Sequence, residues 1–156
     1  MIKFFGSEGK YAFLSNFYDH PVKAKIKGTE YTFSNGEAMF HALKAIEFRD
    51  GRAFKQLTNS KIEPVRAKAI GRHVKYYDDK HWAKVRVGAM ERVERAKFSD
   101  PELREKLIQL SGNELAEDNP YDAFWGLGKR GKGENHLGKI LTKLSNEFVV
   151  DKDNNK

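Results

Sequence analysis

Residues 79–96 read DKHWAKVRVGAMERVERA, and this stretch gives the strongest indication of the fold. Its apolar side chains recur at spacings of three and four residues: Trp82, Val85, Ala89, Val93 and Ala96. Because an α-helix turns once in about 3.6 residues, this spacing places them along one side of a helix. We therefore predict a long helix that begins near Asp79 and buries this stripe in the core.

Helical patterns occur on both sides of that stretch. Ser34-Asn35-Gly36-Glu37 has the form of a capping box, so we predict a helix from there to Phe48. Asp100-Pro101 is typical of a helix start, and this helix is expected to end near Ser111-Gly112. Two shorter helices are predicted at Arg52–Thr58 and Glu63–Gly71. The final helix is expected to bury Leu137, Ile140, Leu141, Leu144 and Phe148.

Strands are predicted only near the N-terminus. Lys3–Phe5 has the pattern of a strand, and Val22–Ile26 and Glu30–Phe33 flank a turn-like Lys27-Gly28-Thr29, which indicates a β-hairpin. The fold class is therefore mainly α: a multihelical single domain over residues 1–150 with a small N-terminal β-hairpin. Residues 151–156, DKDNNK, are predicted to be a disordered tail.

Composition restricts the chemistry. The 156 residues suit one domain, and 12% aromatic residues support a substantial core. The absence of cysteine excludes disulfides, thiolate metal sites and a cysteine nucleophile. We expect a soluble cytoplasmic protein with no membrane partner, no metal and no cofactor, because neither a membrane-spanning run nor metal-ligand spacing is present. The net charge of +7 favours polyanionic ligands.

The segment FLSNFY, Phe13 to Tyr18, surrounds Ser15 and Asn16 with aromatic and apolar side chains. Asparagine is common in turns because its side chain bonds the nearby backbone, so one interpretation is a loop anchored by buried aromatics. The other is a ligand-facing loop in which Asn16 forms hydrogen bonds and Phe17 or Tyr18 stacks on a base.

Glu37, His41 and Lys44 share one face of the first predicted helix, because they are spaced by four and three residues. An acid, an imidazole and an amine in this arrangement can carry acid–base chemistry or hold a ribose and a phosphate. The alternative is structural. Glu37 in the first turn is favoured by the helix dipole, and His41 is then a half-buried side chain without a chemical role.

Residues 119–139, NPYDAFWGLGKRGKGENHLGK, place Asp122 and Trp125 beside five glycines: Gly126, Gly128, Gly131, Gly133 and Gly138. Backbone N–H groups exposed by glycine, with the start of a helix, can hold a phosphate. Four cations add positive charge: Lys129, Arg130, Lys132 and Lys139. The spacing is neither that of a P-loop nor that of a dinucleotide fingerprint. The alternative is a flexible surface loop whose tryptophan fills the core.

These segments, in this order, resemble the YbiA-like, or NADAR, family. The matching pieces are FLSNFY, EAMFHALKA, IGRHV before DDKHWAKVRVGAM, KFSDPELREKLIQLSGNEL, EDNPYDAFWGLG and GENHLGKIL. They span about Phe4 to Glu147, and PYDAFWGLG followed by NHLGKIL is the most specific block.

The resemblance implies a mostly α-helical fold and activity on N-glycosidic bonds to ribose. Members of the family are associated with removing ADP-ribose from guanine, and others with cleaving early riboflavin-pathway intermediates. The resemblance points to Glu37, Lys44, Asp122 and Trp125 as site residues. It also implies that four further residues line the same pocket: Asn16, Gly126, Asn135 and Gly138.

A mechanism follows as a hypothesis. Breaking a ribosyl C1–N bond builds positive charge at C1, which a carboxylate stabilises. Glu37 and Asp122 are the expected carboxylates, with interchangeable roles on the ribose hydroxyls and on the water or leaving group. Lys44 either neutralises a phosphate or the acids, or attacks the opened ribose as a Schiff base. Trp125 is expected to stack on the base, and the Gly126–Gly138 loop to hold the diphosphate.

The expected substrate is an ADP-ribose-type nucleotide, with ADP-ribosylated guanine in DNA or RNA first. The alternatives are an N-glycosidase for phosphorylated riboflavin-pathway intermediates, a non-catalytic module that binds ADP-ribose or NAD, and a nucleic-acid-binding protein without glycosidic chemistry. The oligomeric state stays open.

Overall fold

The computed structural model describes residues 1–155, and within them the chain is mainly helical, as predicted. The strands are Ile2–Phe4 (β1), Val22–Ile26 (β2), Thr29–Phe33 (β3) and Leu115–Glu117 (β4). The helices are Gly36–Glu47 (α1), Gly51–Leu57 (α2), Pro64–Gly71 (α3), Asp79–Lys97 (α4), Pro101–Ile108 (α5) and His136–Asn154 (α6). The chain forms two compact units. We call residues 16–97 the central unit, and residues 1–15 with 98–155 the terminal unit.

The central unit is built around α1, which packs against α2, α3, α4 and β3. The predicted hairpin is confirmed: β2 and β3 pair antiparallel from Val22↔Phe33 to Ile26↔Thr29. Lys27 and Gly28 form its turn with φ values of 49° and 83°, the left-handed conformation that two-residue hairpin turns require.

The start of α1 differs from the predicted capping box. Asn35, not Ser34, is the N-cap: its Oδ1 accepts from the N–H of Ala38 at 2.8 Å, and its Nδ2 donates to the carbonyl of Ile62 at 3.0 Å. The Glu37 carboxylate bonds the side chain of His41 instead of the backbone of Ser34. Asn35 occupies the extended backbone position that begins the helix, so the cap falls one residue later than the pattern indicated.

The buried face of α4 also differs from the predicted stripe. Trp82 and Val93 are buried, but Val85, Ala89 and Ala96 are only half-buried. The face that enters the core instead carries Met90, Glu94 and Lys97. These three lie 8, 12 and 15 positions after Trp82, which at about 3.6 residues per turn rotates them by about 60–120° from Trp82 around the helix. Two charged side chains are therefore buried on a helix that the apolar pattern alone had oriented differently.

The terminal unit joins both ends of the chain through a two-stranded parallel sheet, in which Ile2 pairs with Leu115 and Phe4 with Glu117. Strand β4 was not predicted. Helix α6 packs on β4 and α5 and buries its predicted apolar face. Asp100 caps α5 as predicted, accepting from the N–H of Leu103 at 3.0 Å. The helix ends at Ile108, and turns continue to Ser111.

The segment expected to be a disordered tail is helical as far as Asn154, because α6 continues through it. Lys152 Nζ lies 2.9 Å from the Glu105 carboxylate, and Arg104 lies 3.7 Å from Asp151. These ion pairs hold the last turns of α6 against α5. Lys156 lies outside the described residues. Among the helices of residues 1–155, none combines the length and apolar character that crossing a membrane requires.

Candidate active site

The first group of site residues lies at the start of α1 in the central unit. Glu37 Oε1 and His41 Nε2 are 2.9 Å apart, one helical turn from each other. Both side chains are largely enclosed, with 13% of Glu37 and 10% of His41 exposed. Because an ionised carboxylate has no proton to donate, His41 Nε2–H is the donor. Glu37 Oε2 has no hydrogen-bond partner within residues 1–155, so one oxygen is anchored and the other is available.

Two glycines make this arrangement possible. A β-carbon on Gly71 would lie 1.9 Å from His41 Nδ1, so α3 passes directly against the imidazole ring. A β-carbon on Gly36 would lie 2.4 Å from Asn16 Oδ1. The predicted loop residue Asn16 is buried against the start of α1. The backbone carbonyl of Asn16 accepts from the N–H of Glu37 at 3.2 Å, and its side-chain Nδ2 donates to Met90 Sδ at 3.3 Å.

Glu94 and Lys97 are two charged residues near this group that the sequence analysis did not single out. Both are almost completely buried, at 0% and 2% exposed. Burial raises the pKa of Glu94 to about 7, and the Glu37 charge adds to this, while Lys97 and the Asn16 amide oppose it. Burial lowers the pKa of Lys97 to about 8, against the attraction of Glu94. Their spacing of three residues was the available signal.

Lys44 lies two turns after Glu37 on α1, about 10 Å further along the helix axis. Its Nζ is 4.6 Å from the centre of the Tyr77 ring and 5.8 Å from that of Trp82. Burial lowers the pKa of Lys44, and the nearby Asp79 carboxylate partly opposes this. Burial therefore increases the neutral, nucleophilic fraction of the Lys44 amine, whereas the two aromatic rings favour its charged form.

The second group lies in the terminal unit. Asp122 Oδ1 accepts from the N–H of Phe124 at 2.9 Å and of Trp125 at 2.8 Å, so this carboxylate fixes the turn that carries the tryptophan. The half-buried Trp125 ring meets Phe124 edge-to-face at 4.7 Å, and Phe124 in turn lies 4.3 Å from the ring of His136. Asp122 Oδ2 has no hydrogen-bond partner in the described chain, which again leaves one carboxylate oxygen available.

Many amides of the glycine-rich loop are used in backbone hydrogen bonds, while those of residues 126, 129, 130 and 132 form none within residues 1–155. The N–H groups of residues 127, 128, 131 and 133–137 all donate to carbonyls, mostly within residues 117–128. The first amides of α6 are used in this way too: His136 N–H donates to Phe124 and Leu137 N–H to Trp125. A diphosphate at this loop could use only the remaining N–H groups and the cationic side chains, and the role of the loop in holding a diphosphate stays a prediction.

The glycines serve close packing instead. A β-carbon on Gly126 would lie 2.6 Å from the Glu117 carbonyl oxygen, and one on Gly138 would lie 2.3 Å from that of Leu115. Gly128 has a φ of +68°, which glycine adopts without strain. The Asn135 side chain accepts from the Glu117 N–H at 3.0 Å and donates to the Leu115 carbonyl at 3.1 Å. Asn135 and Gly138 thus hold α6 against β4.

Phe17 and Tyr18, predicted like Trp125 to stack on a base, are half-buried. The Tyr18 ring lies parallel to that of His20, with centres 6.2 Å apart. Stacking of Phe17 or Tyr18 on a base stays a prediction. The structure thus places Asn16, Glu37 and His41 together in the central unit, and Asp122, Trp125 and Gly126 together in the terminal unit.

Known proteins similar to this chain share both its sequence pattern and its fold. N-glycosidase YbiA of Escherichia coli (strain K12) is 30% identical over 153 residues, covering 97% of this chain and 91% of that protein. A riboflavin biosynthesis protein of Vibrio vulnificus (strain YJ016) is 30% identical over 148 residues, covering 94% of this chain but 38% of that protein.

The NMR structure of the E. coli protein YbiA superposes with a TM-score of 0.80 at 32% identity, covering 97% of this chain and 86% of that one. The NADAR domain pattern matches residues 3–149, which includes every predicted site residue from Asn16 to Gly138. The resemblance noted from the sequence is confirmed, and the chain belongs to the NADAR domain family.

Proposed function

We propose that this protein is an N-glycosidase that hydrolyses the C1–N bond between a ribose and a base, with ADP-ribosylated guanine in nucleic acid as its leading substrate. The observation that carries the proposal is the enclosed Glu37 carboxylate, anchored to His41 through one oxygen at 2.9 Å with the other oxygen available. The name of the E. coli relative, N-glycosidase YbiA, supports glycosidic chemistry.

Glu37 suits this reaction because cleavage builds positive charge at C1 and the ring oxygen. A carboxylate of fixed orientation stabilises that charge without reorganising in the transition state. The hydrogen bond from His41 fixes the orientation, and the free oxygen can accept a ribose hydroxyl. We assign this role to Glu37, and the role of orienting water or assisting the leaving base to Asp122.

Lys44 is proposed to act either as a cation or as a nucleophile. Its lowered pKa supports the second role, because a Schiff base requires the neutral amine. Borohydride trapping during turnover separates the two roles. A covalent adduct in the wild type that is absent in Lys44→Arg supports the nucleophile. If the wild type gives no adduct and Lys44→Arg keeps full activity, the nucleophilic role is excluded.

The net charge of +7 supports a polyanionic substrate and so favours modified nucleic acid. The second candidate is a phosphorylated riboflavin-pathway intermediate, because a relative named for riboflavin biosynthesis matches 94% of the chain. A third class, a module that binds ADP-ribose without cleaving it, would need no anchored acid with an oxygen left available.

One experiment tests these functions together. The purified chain is incubated separately with ADP-ribosylated guanine DNA and with a phosphorylated ribosylaminopyrimidine, and base release is followed by chromatography. We expect release from the DNA substrate at the higher kcat/KM. Faster release from the pyrimidine would favour the riboflavin-type reaction. Release from neither, with calorimetric binding of ADP-ribose, would contradict an enzyme and identify a binding module.

A further inference from the structure

The net positive charge of the chain resides in one of its two units. The central unit, residues 16–97, contains 18 lysines and arginines against 10 aspartates and glutamates. The remaining residues contain 11 against 12. The net charge is thus +8 in the central unit and −1 in the rest. An uneven distribution of this kind creates a field that attracts a polyanion to one part of a protein.

Within the central unit, a cleft of about 390 Å³ gathers basic side chains from α2, α3 and the segment after α3. Arg52 extends from α2, Arg66 from α3, and His73 and Lys75 from the segment that follows α3. All four side chains are exposed. Among residues 1–155, no carboxylate forms an ion pair with Arg52, Arg66 or His73. The two guanidinium groups are therefore not neutralised by an ion pair within the described residues.

Among the described residues that line the cleft, Asp50 is the one acid, and its carboxylate is already bonded to the backbone. Asp50 Oδ1 accepts from the N–H of Ala53 at 3.0 Å, where it caps α2, and Oδ2 accepts from the N–H of Lys75 at 2.9 Å. Both oxygens are therefore engaged, and Asp50 is buried with 7% exposed. The groups that remain accessible in the cleft are predominantly positive.

We infer that this cleft, lined by α2, α3 and the residues after α3, is a binding site for the phosphodiester backbone of nucleic acid. Arginine guanidinium groups bind phosphate oxygens through paired hydrogen bonds. A single small phosphate would engage one or two of the cations, whereas an extended strand engages all of them and also the positive field of the unit. The inference gives the proposed nucleic-acid substrate a place to bind outside the Glu37 group, and it rests on that proposed function.

The test measures binding of an unmodified fluorescent DNA strand to the full chain by anisotropy, from 50 to 200 mM salt. Arg52→Gln with Arg66→Gln removes two phosphate contacts. The salt dependence, the slope of log K against log[salt], should become shallower by about 1.5, and affinity at about 0.1 M salt should fall roughly tenfold. The matched control is Lys23→Gln with Lys25→Gln, which removes two exposed charges from β2 of the same unit and should change both values far less.

This binding test does not depend on whether the chain is an N-glycosidase, because the DNA strand carries no ADP-ribose and its binding requires no hydrolysis. Equal affinity and slope in the two double variants would overturn the inference, since the charge would then act without a defined site. The inference would also be overturned if the chain bound inorganic phosphate or ADP tightly but did not bind DNA. If the chain does hydrolyse ADP-ribosylated guanine, the arginine variant should raise KM for the DNA-borne substrate tenfold and leave kcat/KM for a free nucleoside substrate unchanged.

Discussion

Gly71→Ala adds one methyl group at the point where α3 passes His41. Its carbon would lie 1.9 Å from His41 Nδ1, 2.5 Å from Cγ and 2.6 Å from Cε1. Carbon atoms in protein cores pack at about 3.5–4.0 Å, so the ring has to move by more than about 1 Å. The ring is buried, and a shift of that size breaks its 2.9 Å hydrogen bond with Glu37.

The expected cost combines three contributions. Overpacking in a core costs about 1–3 kcal/mol, and loss of a hydrogen bond to a charged group about 1.5–3 kcal/mol. Alanine is favoured over glycine in a helix by up to about 1 kcal/mol, which offsets part of this. We therefore expect Gly71→Ala to lower the free energy of unfolding by roughly 2–4 kcal/mol. Catalytic activity should fall as well, because Glu37 loses its anchor.

Urea denaturation followed by circular dichroism gives the stability, and Gly88→Ala is the matched control. Gly88 lies inside α4, and no atom other than those of its own helix backbone and chain neighbours lies within 4 Å of its added carbon. The control should therefore be neutral or slightly stabilising. In a His41→Ala background the cost of Gly71→Ala should shrink below about 1 kcal/mol, because the clashing ring is absent. A Gly71→Ala protein as stable as the wild type would refute the packing of α3 against His41.

Three further predictions concern other buried polar groups. Lys97→Met leaves the Glu94 carboxylate buried without its cation, so the free energy of unfolding measured in urea should fall by roughly 3–5 kcal/mol. The double variant Lys97→Met with Glu94→Leu should recover most of this loss. Asn35→Ala removes the cap of α1 and the bond to the Ile62 carbonyl, so a cost of roughly 1–3 kcal/mol is expected in the same assay, and a neutral result would contradict that cap. Hydrogen bonds from the N–H groups of Lys75 and Ala53 lower the pKa of Asp50. Its stabilising contribution is therefore present at neutral pH and lost as the pH falls through that depressed pKa, below about 4. Asp50→Asn should make the free energy of unfolding less dependent on pH in this range, and an unchanged pH profile would contradict this.

Local patterns predicted most elements of the fold. The hairpin followed from Lys27-Gly28, and the start of α5 from Asp100-Pro101, because turn and cap residues act on their immediate neighbours. Strand β4 was missed since its three residues pair with β1, which lies more than a hundred positions earlier. No local pattern specifies a partner at that distance.

Local patterns also predicted part of the candidate site, and the rest depends on tertiary contacts. The shared face of Glu37 and His41 was predictable from helical spacing, and the observed hydrogen bond agrees with it. The burial of Glu94 and Lys97 was not predicted, because apolar residues alone were used to orient α4. The glycines after Trp125 indicated exposed amides, yet Gly126, Gly133 and Gly138 allow chain segments to approach closely. This depends on tertiary contacts that composition does not reveal.

The most direct test of the proposed chemistry is the rate of base release by Glu37→Gln under saturating substrate. Glutamine keeps an oxygen that can accept the His41 hydrogen bond, so the fold should be retained while the negative charge is lost. We expect kcat to fall by about 10²–10⁴-fold, with Glu30→Gln on the exposed hairpin at the wild-type rate. Wild-type turnover by a folded Glu37→Gln protein would mean that this carboxylate takes no part in breaking the bond.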